Sequence, residues 1–172
     1  MNRLLPLVSL PTLPDMANPG DLMAPVEERL RTLEPVTGDA AATHWARRCA
    51  AEGWPVGLVC YHIARGFERQ AAFIDGAISG AGPHRYSWDE THALNAHIAA
   101  EHPLPTPDEV LATARAAIER GRAVLTAMRD ADLAGVAFVN STFQGDVRWV
   151  VRSLMPQHAD GHLASIASAI AT

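Results

Sequence analysis

The sequence predicts an all-α fold, a four-helix bundle with a short irregular N-terminal arm, and three observations lead to it. No segment alternates apolar and polar residues for long, apolar residues recur at helical spacing, and two capping boxes mark helix starts. Loops that contain glycine and proline separate the helical segments. Four substantial helices joined in this way are typical of a bundle.

The first half of the chain contains two predicted helices. The first covers residues 21–36, and residues 37–53 either extend it or form a loop with a short helix. The second is long and covers residues 54–78, where Pro55 suits the first turn because its missing N–H has no partner there in any case. Glycines and a proline in "ISGAGPHRY" then end the pattern.

In the second half, helices are predicted from their start signals. The capping box of Ser87 and Glu90 restarts the pattern over residues 87–102, and that of Thr106 and Glu109 opens a helix over residues 106–130. Residues 131–146 are predicted as a loop. Residues 147–170 form the last long helix, which Pro156 should kink because the ring prevents a hydrogen bond to the carbonyl of Arg152.

Length and charge indicate a single-domain protein that does not bind nucleic acid. Its 172 residues suffice for one core, with residues 1–20 as a poorly ordered or surface-packed arm and residues 21–172 as the bundle domain. The net charge of -5 argues against nucleic acid as a partner, and no apolar run is long enough to span a membrane. Two cysteines cannot form a disulfide framework, so a cytoplasmic location is expected.

Two histidines four residues apart, His158 and His162, suggest a metal site in the last helix. Residues at this spacing share one helix face, which lets two imidazoles converge on one cation. In a chain with eight histidines, the number of such pairs expected by chance is roughly one third, so the pair alone is weak evidence. Ala159 follows His158, and the glutamate of the metalloprotease H-E-x-x-H motif is therefore missing.

A metal needs at least one further protein ligand, and His62 is the best candidate. Its helical neighbours Leu58, Val59 and Gly66 place it on the apolar face of the second long helix. A histidine there is either a core residue or the third member of a facial site in the bundle interior, open to water or substrate. The other candidates are His44, which is ambiguous, and His84, His92, His97 and His102, of which His84, His97 and His102 lie in or beside polar segments typical of solvated surface.

Three segments, in this order, resemble the DinB-like superfamily of metal-binding four-helix bundles. They are "GWPVGLVCYHIARGFE", then "WDETHALNAHIA" with "TPDEVLATARAAIERGRAVLTAM", and finally "PQHADGHLASI" with its H-x-x-x-H spacing. The superfamily includes mycothiol-dependent maleylpyruvate isomerases and bacillithiol transferases, and the resemblance covers roughly residues 22–170. It implies the bundle fold, a metal triad of His62, His158 and His162, and a divalent nickel, zinc or iron ion.

The resemblance also implies a reaction with a low-molecular-weight thiol as cosubstrate, of the S-transferase or isomerase type. A metal-dependent hydrolase at the same site is one alternative, and a non-catalytic bundle that binds a small molecule or a partner is another. No side chain is identified as catalytic; metal-bound water or thiolate would carry the chemistry. Relatives are often dimers, so a homodimer is expected by analogy.

Three polar residues are candidates for binding the substrate. Arg65 and Arg69 follow His62 by three and seven residues, close to its face, and we hypothesise that one of them binds a carboxylate through its paired donors. The alternative is an arginine that reaches solvent at the bundle end. Asn95 occupies a position like that of the superfamily's asparagine and either orients a ligand or is structural.

Overall fold

The computed structural model describes residues 24–38 and 41–171, and most of them are helical. The predicted predominance of helix is confirmed, whereas the predicted arm, residues 1–20, lies outside the described residues. None of the helices in the described ranges is long and apolar enough to cross a membrane. The helices are α1 (Ala24–Arg31), α2 (Leu33–Thr37), α3 (Ala41–His44), α4 (Val56–Ile78), α5 (Trp88–Glu101), α6 (Pro107–Ala127), α7 (Val147–Trp149) and α8 (Met155–Ile170).

The central helix of the core is α4, which packs along α6 and also against α8. Its Ile63, Phe67 and Ile74 are almost completely buried. Each such side chain stabilises the fold by about 1.5–3 kcal/mol through the apolar surface that it removes from water. The other helices add buried residues to the same core, including Val26, Leu30, Leu33, Val110, Leu125, Met155 and Ile166.

The helices α5 and α6 begin where the sequence signals predict. The location of α5 at the side of the core, in contrast, is unexpected. Both predicted capping boxes form, with Ser87 opening α5 and Thr106 opening α6. Pro55 is the N-cap of α4 and therefore lies one residue before the first turn predicted for it. Helix α5 has no buried residue, so it covers the side of the core and does not contribute a central layer.

A small sheet corrects the prediction of a loop over residues 131–146. This part of the chain contains a 3-10 helix (Asp130–Ala134) and the strands β2 (Val136–Val139) and β3 (Gln144–Asp146). Strand β2 pairs antiparallel with β3 and parallel with β1 (His84–Arg85). Strands of two to four residues are too short to display the period of two by which a strand is recognised, and "VAFV" does not alternate at all.

The last helical segment runs from residue 147 to residue 170, as predicted, and contains one distortion. A π-helical turn at Val150–Leu154 joins α7 to α8 and directly precedes Pro156. Such a turn accommodates the missing N–H and the bulk of the proline ring, and turns of this kind accompany kinks in helices. The predicted first helix is likewise divided, because α1 and α2 separate at Thr32.

Candidate metal centre

Three imidazoles meet where α4 faces α8. His62 comes from α4, and His158 and His162 come from successive turns of α8. One ring nitrogen from each residue lies within 4.8 Å of the others, and the ring centroids are 4.8–5.0 Å apart. The structure thus brings together the three residues that the sequence predicted as metal ligands.

The spacing between two of the rings suits a shared cation. Nε2 of His158 lies 3.1 Å from Nε2 of His62. Two nitrogens bound to one ion at the usual zinc–imidazole distance of about 2.0–2.1 Å are about 2.9–3.4 Å apart for ordinary coordination angles. The two nitrogens therefore either share one proton or, when both are unprotonated, can hold a cation between them.

Burial keeps two of the rings neutral, as metal binding requires. Burial, assisted by repulsion from the neighbouring His162, lowers the pKa of His62 to about 4. Burial also lowers the pKa of His158 to about 3, with repulsion from His62 and His162 acting in the same direction. A neutral imidazole offers a lone pair at physiological pH, so no proton has to leave these two rings before a metal binds.

Glu52 holds the third ring and was not predicted from the sequence. Nδ1 of His162 donates a hydrogen bond of 2.7 Å to Glu52 Oε1, and the Ser165 hydroxyl donates one of 2.6 Å to Oε2. Burial acts to raise the pKa of the Glu52 carboxyl, but these two hydrogen bonds bring it below the ordinary value. With the proton of His162 fixed on Nδ1, its Nε2 is free to bind a metal.

Replacing Glu52 with glutamine is expected to weaken metal binding by about 10- to 100-fold, the usual effect of removing such a carboxylate. Glutamine can still accept the hydrogen bond but lacks the charge that makes the His162 imidazole a stronger ligand. Competition with a chromophoric chelator measures the affinity. Glu68→Gln is the matched control, because Glu68 lines the same cavity but pairs with Arg65. Equal affinities of the two variants would show that Glu52 has no such role.

His158, in contrast, is held by packing and by the contact of its Nε2 with His62. Its Nδ1 is buried and has no hydrogen-bond partner in the described part of the chain. The ring instead lies directly on Gly66 of α4, where a Cβ atom would be 2.9 Å from Nδ1 and closer still to Cε1. The absence of a side chain at Gly66 therefore creates the space that the His158 ring occupies.

The three imidazoles border a cavity of about 870 Å³. Its walls come from α4, α5, α8 and the turn before α4, and they include the three predicted substrate-binding residues, Arg65, Arg69 and Asn95. Trp54 stands edge-on to His62, with ring centroids 5.4 Å apart. A molecule in this cavity can approach the histidines from one side while the protein encloses them on the other.

The remaining histidines do not belong to the triad, and two that were predicted as solvated, His84 and His102, are half-buried. His102 packs against the Tyr61 ring, with the centroids 4.7 Å apart. His84 lies in β1 and stacks on Phe73 of α4 at 4.3 Å. His97 is exposed and lies 3.2 Å from Glu101, as expected of a surface residue. Among the described residues, His62, His158 and His162 form the one group of three histidine, cysteine or acidic side chains spaced to hold a metal.

Comparison with protein-family models, with curated proteins and with solved structures finds no match to this chain. The similarity to the DinB-like superfamily therefore depends on the quoted segments alone.

Proposed function

We propose that the protein is a DinB-like four-helix bundle that binds one divalent transition metal, nickel, zinc or iron, through His62, His158 and His162. We propose further that it is an enzyme of the thiol S-transferase or isomerase type. The observation that carries the proposal is a cluster of three imidazoles, their nitrogens within 4.8 Å of one another, at the wall of a cavity of about 870 Å³. A purely structural cluster would not need to face such a cavity.

The chemistry of the donors supports a catalytic metal over a structural one. Structural zinc sites are closed by four protein ligands, whereas catalytic sites use three and keep a position open. A divalent cation held here would act as a Lewis acid toward a thiol or a carbonyl group. The chain itself contributes three neutral ligands and, through Glu52, one negative charge that strengthens His162.

A thiol reactant would have to come from outside the protein. The sequence has two cysteines, and both Cys49 and Cys60 are buried and free of disulfides. Burial raises the pKa of the Cys60 thiol to about 12, and it also raises the pKa of Cys49. Neither is a nucleophile at neutral pH, because the thiolate is the reactive form. A low-molecular-weight cosubstrate would supply it.

The carboxylates of the cavity are already engaged, which also favours a metal. Glu52 accepts hydrogen bonds from His162 and Ser165, and Glu68 forms an ion pair with Arg65. Neither is therefore a free general base. A metal that lowers the pKa of a bound thiol or water makes such a base unnecessary.

Elemental analysis of protein purified without a metal-affinity tag tests the proposal. We expect about one equivalent of nickel, zinc or iron, or uptake of about one equivalent on reconstitution. Turnover is then measured as loss of a free thiol with 1-chloro-2,4-dinitrobenzene, in which sulfur displaces chloride. Metal below about a tenth of an equivalent, with no uptake, would rule out a metal enzyme. Metal-dependent hydrolysis of a model ester without thiol would favour a hydrolase at this site instead.

A further inference from the structure

Arg69 lies in the cavity with its positive charge unpaired. Its guanidinium is over the rings of Phe73 and Tyr86, at 5.7 and 5.3 Å from their centroids, and Nη2 donates to His84 Nε2 at 3.4 Å. None of the described carboxylates forms an ion pair with it. Burial lowers the pKa of this guanidinium, which nevertheless stays charged at neutral pH.

The other arginines of the cavity differ in this respect. Arg65 is exposed and pairs with Glu68, and Arg120 is 3.6 Å from Asp75. Of the three guanidinium groups that line the cavity, Arg69 is the half-buried one surrounded by neutral rings. A partly buried charge without a counterion is unfavourable, and a bound anion would offset that cost.

We propose that Arg69 binds the carboxylate of an organic monoanion whose apolar body lies along the aromatic wall of the cavity and whose other end reaches the three histidines. The first part stands on the surroundings of Arg69, and the last part rests on the proposed function. The apolar body fits the exposed Trp88, of which 57% is accessible, together with Trp54, which also lines the cavity. Aromatic faces left open in this way are typical of binding sites.

The separation of His62 and Arg69 along α4 indicates the length of the ligand. Arg69 follows His62 by seven residues of α4, which corresponds to about 10 Å along the helix axis. A molecule that reaches from Arg69 to the histidines is therefore expected to span on the order of 10 Å, about the length of a six-carbon chain with its two end groups.

The charges favour a carboxylate over a phosphate. Glu68 is neutralised by Arg65, and Arg120 by Asp75, so these pairs add no net charge beside the ligand. The remaining carboxylate, Glu52, opposes a dianion, and Arg69 alone offers an unpaired planar pair of donors. One guanidinium matches one carboxylate in both charge and geometry. The same molecule with a phosphonate end should accordingly bind less tightly.

Two probes of equal length test the inference on the cobalt-loaded protein. The probes are 6-mercaptohexanoate and the neutral 6-mercaptohexanol, and the cobalt–thiolate absorption reports binding of both. We expect the carboxylate to bind about 10- to 100-fold more tightly, as for a charge-assisted pair shielded from water. Arg69→Met, which keeps the apolar stem over the rings, should abolish this advantage. Arg65→Met should retain it, and Arg69→Lys, which keeps the charge without the paired donors, should retain part of it.

The outcomes separate this inference from the proposed function. Equal binding of the two probes, an advantage that survives in Arg69→Met, or tighter binding of the matching phosphonate overturns the inference alone. The absence of a cobalt–thiolate signal with both probes would contradict the proposed function. The inference about Arg69 is then tested on the metal-free protein. In that form 4-phenylbutanoate should bind at least about 10-fold more tightly than 4-phenylbutanamide, and only when Arg69 is present; equal binding overturns it. Circular dichroism checks that each variant is folded.

Discussion

Replacing His62 with alanine is expected to remove the metal, whereas replacing His97 with alanine leaves it in place. The His62 nitrogen lies 3.1 Å from that of His158, so its loss reduces the site to two ligands on one helix. Each ligand of a zinc site contributes on the order of 3 kcal/mol, and the affinity should fall at least about 100-fold. His97 is exposed on α5 and pairs with Glu101, remote from the triad. Elemental analysis and chelator competition measure the difference.

The comparison with His97 guards against a general effect of losing a histidine. Both variants should retain the helical circular dichroism of the parent, since neither change touches the large buried residues of α4. Similar metal contents in the two variants would mean that the third ligand is another residue. Loss of metal from His62→Ala together with loss of helix would require the conservative variant His62→Gln, which should remain folded and still lose the metal.

The helices were predictable because their signals are local. The capping boxes of α5 and α6 each lie within four residues, and the apolar periodicity of α4 extends over 23 residues. The sheet was not predictable, because β1 and β2 pair across more than fifty residues and each strand has too few residues to form a pattern. The position of α5 at the side of the core depends on contacts with residues that are distant in the sequence, and no local sequence pattern indicates such contacts.

The candidate site likewise contains residues that the sequence could predict and residues that it could not. His62 could be found because three apolar neighbours place it on the inner face of a helix that is long enough to define a face. Glu52 could not, since it lies in an irregular turn, and only the folded chain brings it to His162. The surroundings of Arg69 depend on β1 and the residue after it, which place His84 and Tyr86 beside α4, and the sequence indicated neither contact.

Gly66 leaves the space that the His158 ring occupies, so Gly66→Ala is expected to abolish the proposed metal binding while the fold persists. A Cβ at this position would overlap the His158 ring, whose Nδ1 has no hydrogen bond to restore its orientation. The ring would have to move by about 1 Å, whereas ligand distances tolerate about 0.2 Å. The overlap costs about 1–3 kcal/mol, but alanine favours the helix by about 1 kcal/mol over glycine, so the net loss of stability should be small.

Gly161→Ala is the matched control, because it makes the same change between the two ligands of α8. Nothing lies within 4 Å of a Cβ at Gly161, which is exposed, so the helix gains up to about 1 kcal/mol and the site is untouched. Thermal unfolding of the metal-free proteins and chelator competition separate the two effects. Metal binding by Gly66→Ala equal to that of Gly161→Ala would show that the His158 ring can bind from another position. If only Gly66→Ala loses the metal, then the space left by one missing side chain on α4 positions a ligand on α8, and the site depends on both helices.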